Sequence, residues 1–67
     1  MAIGAVTLKN GYATLWDETA TLICKLPLQG VTVVGYTPTR VTVMTAPPLR
    51  FCFMYDATGK YVGGFMT

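Results

Sequence analysis

Residues 6–16 read VTLKNGYATLW, and they carry the strongest local fold signal in the chain. Two runs of alternating side chains flank Asn10-Gly11, and both residues of this pair readily adopt the positive φ that a two-residue hairpin turn requires. The stretch therefore predicts two antiparallel strands joined by a tight turn.

Polar pairs, prolines and glycines divide the following part of the chain at similar intervals. Asp17-Glu18 ends the second strand, and LPLQG, residues 26–30, separates a third strand from a fourth. TPTR, residues 37–40, turns the chain into a fifth strand. The prolines of residues 46–48 cannot donate ladder hydrogen bonds, so they predict a stiff crossover before the sixth strand.

A last turn lies in DATGK, where Asp56 opens the turn and Gly59 takes its left-handed position. The turn signals together delimit about seven short strands joined mostly by hairpins. The eleven threonines agree with this, because threonine is β-branched and suits a pleated surface, and no apolar run has helical spacing. We predict a single all-β domain over residues 1–67, with antiparallel strands in a small barrel or a compact sandwich.

The chain is short and poor in charge. A domain of this size buries only about 60% of the surface that its unfolded chain exposes, so it usually needs a disulfide, a metal or a partner. Hydrophobic residues make up 52% of the sequence and charged residues 12%. No segment reaches the roughly 18 apolar residues of a membrane helix, and the N-terminus lacks the pattern of a secretion signal. We expect a soluble, unexported protein, in the cytoplasm or in a virion, with no membrane partner.

The residue inventory argues against catalysis, metals and cofactors. The sequence contains no histidine and no serine, which excludes a Ser-His-Asp arrangement and leaves a cysteine nucleophile without an imidazole base. Asp17 and Glu18 are adjacent and would point to opposite faces of a strand, which does not suit paired acid and base work. Cys24 and Cys52 are too few for a zinc site, and they form either a disulfide or two thiols that pack as small hydrophobic side chains. We expect no enzyme activity, no metal and no cofactor.

Alternation along the strands predicts one apolar face and one mixed face for each. In the third strand, Leu22, Cys24 and Leu26 share the apolar face, and Ile23 and Lys25 share the mixed face. In the same way, the sixth strand has an apolar face of Leu49, Phe51, Phe53 and Tyr55. The apolar members of the mixed faces are Ile23, Val34, Tyr36, Met44, Cys52, Met54, Val62 and Met66. This is more apolar surface than a monomer normally leaves to water, and it indicates a partner surface.

Both ends of the chain are apolar as well, and we expect another chain to cover them. Methionine is adaptable and common at such contacts. The predicted contacts between chains are Ile3, Met44, Met54, Phe65 and Met66. Gly63-Gly64 either lets another backbone approach closely or lets the final strand bend sharply.

These features predict a non-enzymatic, homo-oligomeric structural protein whose function is assembly, such as a small viral (phage) capsid decoration, cement or tail component. The first alternative is a small nucleic-acid-binding module. Its predicted contacts are Lys25, Arg40, Arg50 and Tyr36, with Tyr12, Trp16 and Tyr61 as further stacking surfaces. Lys9 and Lys60 lie at hairpin tips, where lysine commonly serves solubility. A second alternative is a protein that inhibits a host protein through an exposed strand edge.

Overall fold

The computed structural model describes residues 2–47 and 50–66, and every regular element in them is a β-strand. The strands are β1 (Ile3–Lys9), β2 (Tyr12–Asp17), β3 (Leu22–Leu26), β4 (Val31–Thr37), β5 (Arg40–Thr45), β6 (Phe51–Asp56) and β7 (Tyr61–Met66). They form a three-stranded antiparallel sheet in the order β1-β2-β3 and a four-stranded antiparallel sheet in the order β4-β5-β6-β7. The prediction of about seven antiparallel strands is confirmed. Of the two predicted architectures, two separate sheets fit the compact sandwich.

The turn between β1 and β2 has the predicted backbone. Asn10 has a φ of 53° and Gly11 a φ of 79°, and Lys9 pairs with Tyr12 across the turn. Positive φ at both central positions is what a two-residue hairpin turn needs, because its twist then matches that of the strands. In the predicted crossover, Pro48 lies outside the described residues, as does Leu49 of the predicted sixth strand.

The turn between β2 and β3 is organised around one carboxylate. Asp17 Oδ1 accepts hydrogen bonds from Thr19 N at 2.9 Å, from Thr19 Oγ1 at 2.7 Å and from Thr21 N at 2.9 Å. The Ala20 amide donates to the Asp17 carbonyl at 3.0 Å, and Ala20 has a φ of 63°. Local acceptance of backbone amides by aspartate is a common way to close a turn.

The turn between β6 and β7 repeats this arrangement. Asp56 Oδ1 accepts hydrogen bonds from Thr58 N at 2.8 Å, from Thr58 Oγ1 at 2.6 Å and from Lys60 N at 3.0 Å. The Gly59 amide donates to the Asp56 carbonyl at 3.0 Å, and Gly59 has a φ of 86°. The predicted roles of Asp56 and Gly59 are therefore confirmed. We call residues 17–21 (DETAT) and residues 56–60 (DATGK) the two aspartate turns.

Each aspartate turn is accompanied by a β-bulge. In the hairpin of β2 and β3, Trp16 pairs with Leu22 while Leu15 pairs with Cys24, which leaves Ile23 as an extra residue. Ile23 packs against the core, whereas Leu22 is 48% exposed. The faces predicted for Leu22 and Ile23 are therefore wrong, because the extra residue shifts the alternation at the start of β3.

The second bulge lies at the glycine pair of β7. Met54 pairs with Gly63, and the register shifts between Met54 and Tyr55, which leaves Val62 as the extra residue. Gly63 has a φ of 142°, a conformation that side chains rarely adopt. Both predicted roles of Gly63-Gly64 have a counterpart within the chain: the bulge lies at Gly63, and a Cβ at Gly64 would come 2.7 Å from the Cys52 carbonyl oxygen of β6.

One hydrophobic core lies between the two sheets. Its buried members are Ile3, Ala13, Leu15 and Leu26 from the three-stranded sheet and Val41 and Val43 from β5. At the rim, Ile3 N donates to Pro38 O at 2.8 Å, and Tyr36 Oη donates to Gly4 O at 3.0 Å. Ile3 is only 4% exposed, so we remove it from the predicted contacts between chains: the core of its own chain covers it.

The two cysteines lie in different sheets and are not bonded to each other. Cys24 is half-buried beside the core, and Cys52 is buried in β6. Of the two predicted states, the structure shows two thiols that pack as small hydrophobic side chains. The described residues include no helix able to cross a membrane and no cluster of side chains able to hold a metal ion.

Candidate binding surfaces

The side of the four-stranded sheet that faces away from the core carries a group of apolar side chains. Val43 points into the core, so its neighbour Met44 points outward. Strand register places Met44, Cys52 and Phe65 side by side on β5, β6 and β7, and Met54 follows Cys52 on the same face. Cys52 is 4% exposed because it has a neighbour on each side, whereas Phe65 is 53% exposed. We call Met44, Cys52, Met54 and Phe65 the outer apolar face.

Strand β7 extends this surface to the edge of the sheet. It pairs with β6 on one side and ends the strand order on the other, so its outer backbone groups have no partner strand in the described structure. Its segment YVGGFM contains no charged residue. Its exposed large side chains are Tyr61, Val62, Phe65 and Met66. An apolar, uncharged edge of this kind is a template for association with another chain.

The predicted contacts between chains collect on this sheet, apart from Ile3. Met44 and Met54 are half-buried on the outer apolar face, and Phe65 lies beside them at its edge. Met66 is 69% exposed and pairs with Phe51 at the end of β7. The structure thus brings four of the five predicted residues into one region of the fold.

A second surface lies on the outward side of the three-stranded sheet. Here β1 contributes Thr7 and Lys9, the central strand β2 contributes Tyr12, Thr14 and Trp16, and β3 contributes Lys25. These side chains line a groove of about 350 Å³ that we call the basic aromatic groove.

Two contacts fix the aromatic rings of this groove. Trp16 Nε1 donates a hydrogen bond to Thr7 Oγ1 at 2.9 Å, which ties the indole to the neighbouring strand. Lys25 Nζ lies 5.6 Å from the centroid of the Tyr12 ring, within the range of a cation–π contact. Lys9 is the direct cross-strand partner of Tyr12, so this tyrosine has a lysine on each side.

The four residues predicted as nucleic-acid contacts, Lys25, Arg40, Arg50 and Tyr36, do not lie together. Lys25 is in the groove, but Arg40 is at the start of β5 in the other sheet, where it pairs with Asp56. Arg50 precedes β6, and Tyr36 donates its hydroxyl hydrogen to the Gly4 carbonyl at the rim of the core. Of these four residues only Lys25 lies in the groove, where it is joined by Tyr12 and Trp16, two of the predicted stacking surfaces.

Lys9 is the groove residue that the sequence interpretation assigned to solubility alone. The signal for its role is the tight turn at Asn10-Gly11, since a two-residue turn places the residues before and after it opposite each other. Applied to this sequence, that rule pairs Lys9 with Tyr12. Alternation then puts Thr7 and Trp16 on the same side of the sheet.

Among the residues that the structure describes, three ionisable groups have perturbed pKa values, each with a local cause. The Thr19 hydroxyl and the Thr21 amide hold the pKa of Asp17 below its usual value. The Thr58 hydroxyl does the same for the pKa of Asp56. Burial raises the pKa of the Cys24 thiol, and the nearby Asp56 charge adds to that rise. The two carboxylates are therefore ionised turn formers rather than proton donors near neutral pH.

Comparisons with protein-family models, with curated proteins and with solved structures gave no match for this chain.

Proposed function

We propose that this chain is a non-enzymatic structural protein that assembles with copies of itself through β7 and the outer apolar face. The observation that carries the proposal is the uncharged edge strand with its exposed Tyr61, Val62, Phe65 and Met66. Natural proteins usually protect such an edge with charges, prolines or a covering element. A second β7 supplies the same cover through main-chain hydrogen bonds and matching apolar side chains.

The size of a stable interface indicates that β7 does not act alone. A standard interface removes about 800 Å² from each partner. That is roughly a fifth of the 4321 Å² that this chain exposes. A single strand offers too little area, so the neighbouring Met44 and Met54 belong to the same contact. Methionine adapts its shape to a partner surface, which suits this position.

A small self-associating sandwich of this kind fits a component of a larger particle, such as a viral capsid decoration, a cement protein or a tail component. This setting rests on analogy to small all-β structural proteins. The alternative partner for the same edge is a different protein, as in an inhibitor that adds a strand to its target. A chain of that second type would be monomeric in isolation, so its mass in solution separates the two.

Phe65 lies on the outer apolar face and on the edge strand β7. Phe65→Lys places a charge on the outer apolar face, and we expect it to convert a defined oligomer into a monomer because the charge would have to be desolvated in the interface. The measurement is solution mass by light scattering after a sizing column, at low and at high salt. An assembly driven by apolar contacts keeps its mass in high salt.

The matched control is Leu22→Lys. Leu22 is 48% exposed, close to the 53% of Phe65, but it lies on the three-stranded sheet. Its oligomeric mass should equal that of the wild type. A monomeric wild type, or an equal loss of mass in both variants, would contradict assembly through the four-stranded sheet.

A further inference from the structure

We propose that the basic aromatic groove binds single-stranded nucleic acid, with bases stacked on Tyr12 and Trp16 and phosphates bound by Lys9 and Lys25. The site lies on the three-stranded sheet, so it does not rest on the proposed assembly through the four-stranded sheet. Of the four predicted contacts it retains only Lys25, together with Tyr12 and Trp16 from the predicted stacking surfaces.

The charge of the groove selects an anionic ligand. Tyr12 is in the central strand, with Lys9 directly opposite on β1 and Lys25 diagonally opposite on β3. Both lysine side chains therefore lie beside one ring, and none of the side chains that line the groove is acidic. A cation on each side of an aromatic ring matches a nucleotide, which joins a flat base to phosphates on both sides.

The aromatic rings provide stacking surfaces that are already in place. Tyr12 is 43% exposed. Trp16 lies four residues further along the same strand, roughly 13 Å away at about 3.3 Å per residue. Between them Thr14, with its short side chain, forms the floor of the groove and is 6% exposed. The hydrogen bond from Trp16 to Thr7 fixes the indole before any ligand arrives, which lowers the entropic cost of binding.

A single strand suits this groove better than a duplex. Stacking on a side chain requires a base whose face is free, and duplex bases are already stacked on each other. The far end of the groove limits its length, because Trp16 also borders a depression lined by Asp17 and Glu18. These carboxylates disfavour phosphates beyond Trp16, so the site accommodates only a few nucleotides with their phosphates toward the Tyr12 end.

The probe is a fluorescently labelled oligothymidylate of about twelve nucleotides, long enough for the site sizes of small β domains. Its anisotropy is measured with the full chain at several salt concentrations. Two phosphate contacts predict a slope of about −1.4 in log affinity against log salt, since each contact on a single strand contributes about −0.7. Lys25→Gln should make the slope shallower, at about −0.7, because one phosphate contact is lost.

The matched control for charge is Lys60→Gln, which removes the same charge at the turn between β6 and β7, outside the groove. It should leave the slope at the wild-type value. Tyr12→Ala should weaken binding about tenfold or more, as expected for one lost stacking contact. Trp16→Phe keeps an apolar ring at this position, loses the bond to Thr7 and should weaken binding less than Tyr12→Ala.

Three results would overturn nucleic-acid binding at this groove. They are the absence of binding by the wild type at low salt, equal effects of Lys25→Gln and Lys60→Gln, and unchanged affinity in Tyr12→Ala. Thymidine monophosphate is the second arm of the experiment. If it competes as well per molecule as the oligonucleotide, the groove is a mononucleotide site and the single-strand assignment is wrong. Oligomeric mass measured on the same samples keeps this result separate from the assembly proposal.

Discussion

Ala20 adopts a backbone conformation that suits its side chain poorly. Its φ of 63° lies in the left-handed region, where a Cβ approaches the following carbonyl oxygen. The equivalent position in the other aspartate turn is Gly59, which adopts a φ of 86° without that conflict. The same turn is therefore built once with a strained residue and once with a relaxed one.

Ala20→Gly should raise the free energy of unfolding by about 0.5–1 kcal/mol. The relief of left-handed strain exceeds the entropy that glycine adds to the unfolded chain by roughly this amount. Urea unfolding followed by Trp16 fluorescence measures the change. An unchanged or lower midpoint would show that the turn does not hold Ala20 in the left-handed region.

The reciprocal substitution serves as the control. Gly59→Ala would place a Cβ 3.0 Å from Cys24 Sγ and 3.3 Å from Leu26 Cδ2, at a φ that disfavours alanine. It should therefore destabilise the chain by more than Ala20→Gly stabilises it. Equal and opposite effects would mean that the backbone alone decides, without the contact to β3.

At the level of elements, two hairpins of the chain are built on one plan. Residues 12–26 and residues 51–65 each contain a strand, an aspartate turn, a strand and a bulge at the same distance from the turn. The bulge leaves Ile23 as the extra residue in one hairpin and Val62 in the other. The D-x-T pattern of both turns is visible in the sequence.

Local chemistry explains why all seven strands could be predicted while some of their faces could not. Turn residues such as Asn10-Gly11 and Asp56 act through their own backbone and nearest amides, so the sequence alone reveals them. A bulge depends on how two strands pair, and nothing in the sequence of residues 22–24 indicates that Ile23 is the extra residue. Simple alternation therefore assigns Leu22 and Ile23 to the wrong faces.

The two aspartate turns should make the chain sensitive to acid. The folded pKa values of Asp17 and Asp56 lie below the ordinary value of 3.8, so folding favours their ionised forms. Their contribution to stability is complete above about pH 4 and is lost as the pH falls through the lowered folded values. The Asp17→Asn, Asp56→Asn double variant should show a flatter dependence of the urea midpoint on pH below about pH 4.

Glu18→Gln is the control for the loss of an acid at the same turn. Its side chain is exposed and contributes none of the hydrogen bonds to the Asp17 carboxylate. It should retain the wild-type pH profile. A double variant whose profile remains as steep as that of the wild type would exclude the turns as the source of acid sensitivity.

At the level of the whole molecule, the sandwich presents two unlike surfaces on opposite sheets. The three-stranded sheet carries lysines and aromatic rings, and the four-stranded sheet carries methionines, Phe65 and an uncharged edge. Alternation predicted that mixed faces would be rich in apolar residues, but it could not show which strands share a sheet. That Lys25 and Arg40 lie on different sheets, and that Ile3 is in the core, follows only from strand order and packing.

The rate at which the Cys52 thiol is alkylated should depend on whether β7 covers it. Cys52 is 4% exposed and lies on the outer apolar face between Met44 and Phe65, so we expect a reagent to reach its thiol when β7 or the Phe65 side chain moves away. In a Cys24→Ala background, Phe65→Ala should accelerate alkylation of Cys52, and Leu22→Ala should not. Mass spectrometry at successive times gives the rates, and equal rates in both variants would mean that β7 is not the cover.

Alkylation of this single thiol therefore measures how often its cover on β7 opens. If copies of the chain cover β7 in solution, the rate must also fall as protein concentration rises, because each associated edge has to dissociate before it can open. One sulfur atom would then report both the opening of a strand and its capture by a neighbour.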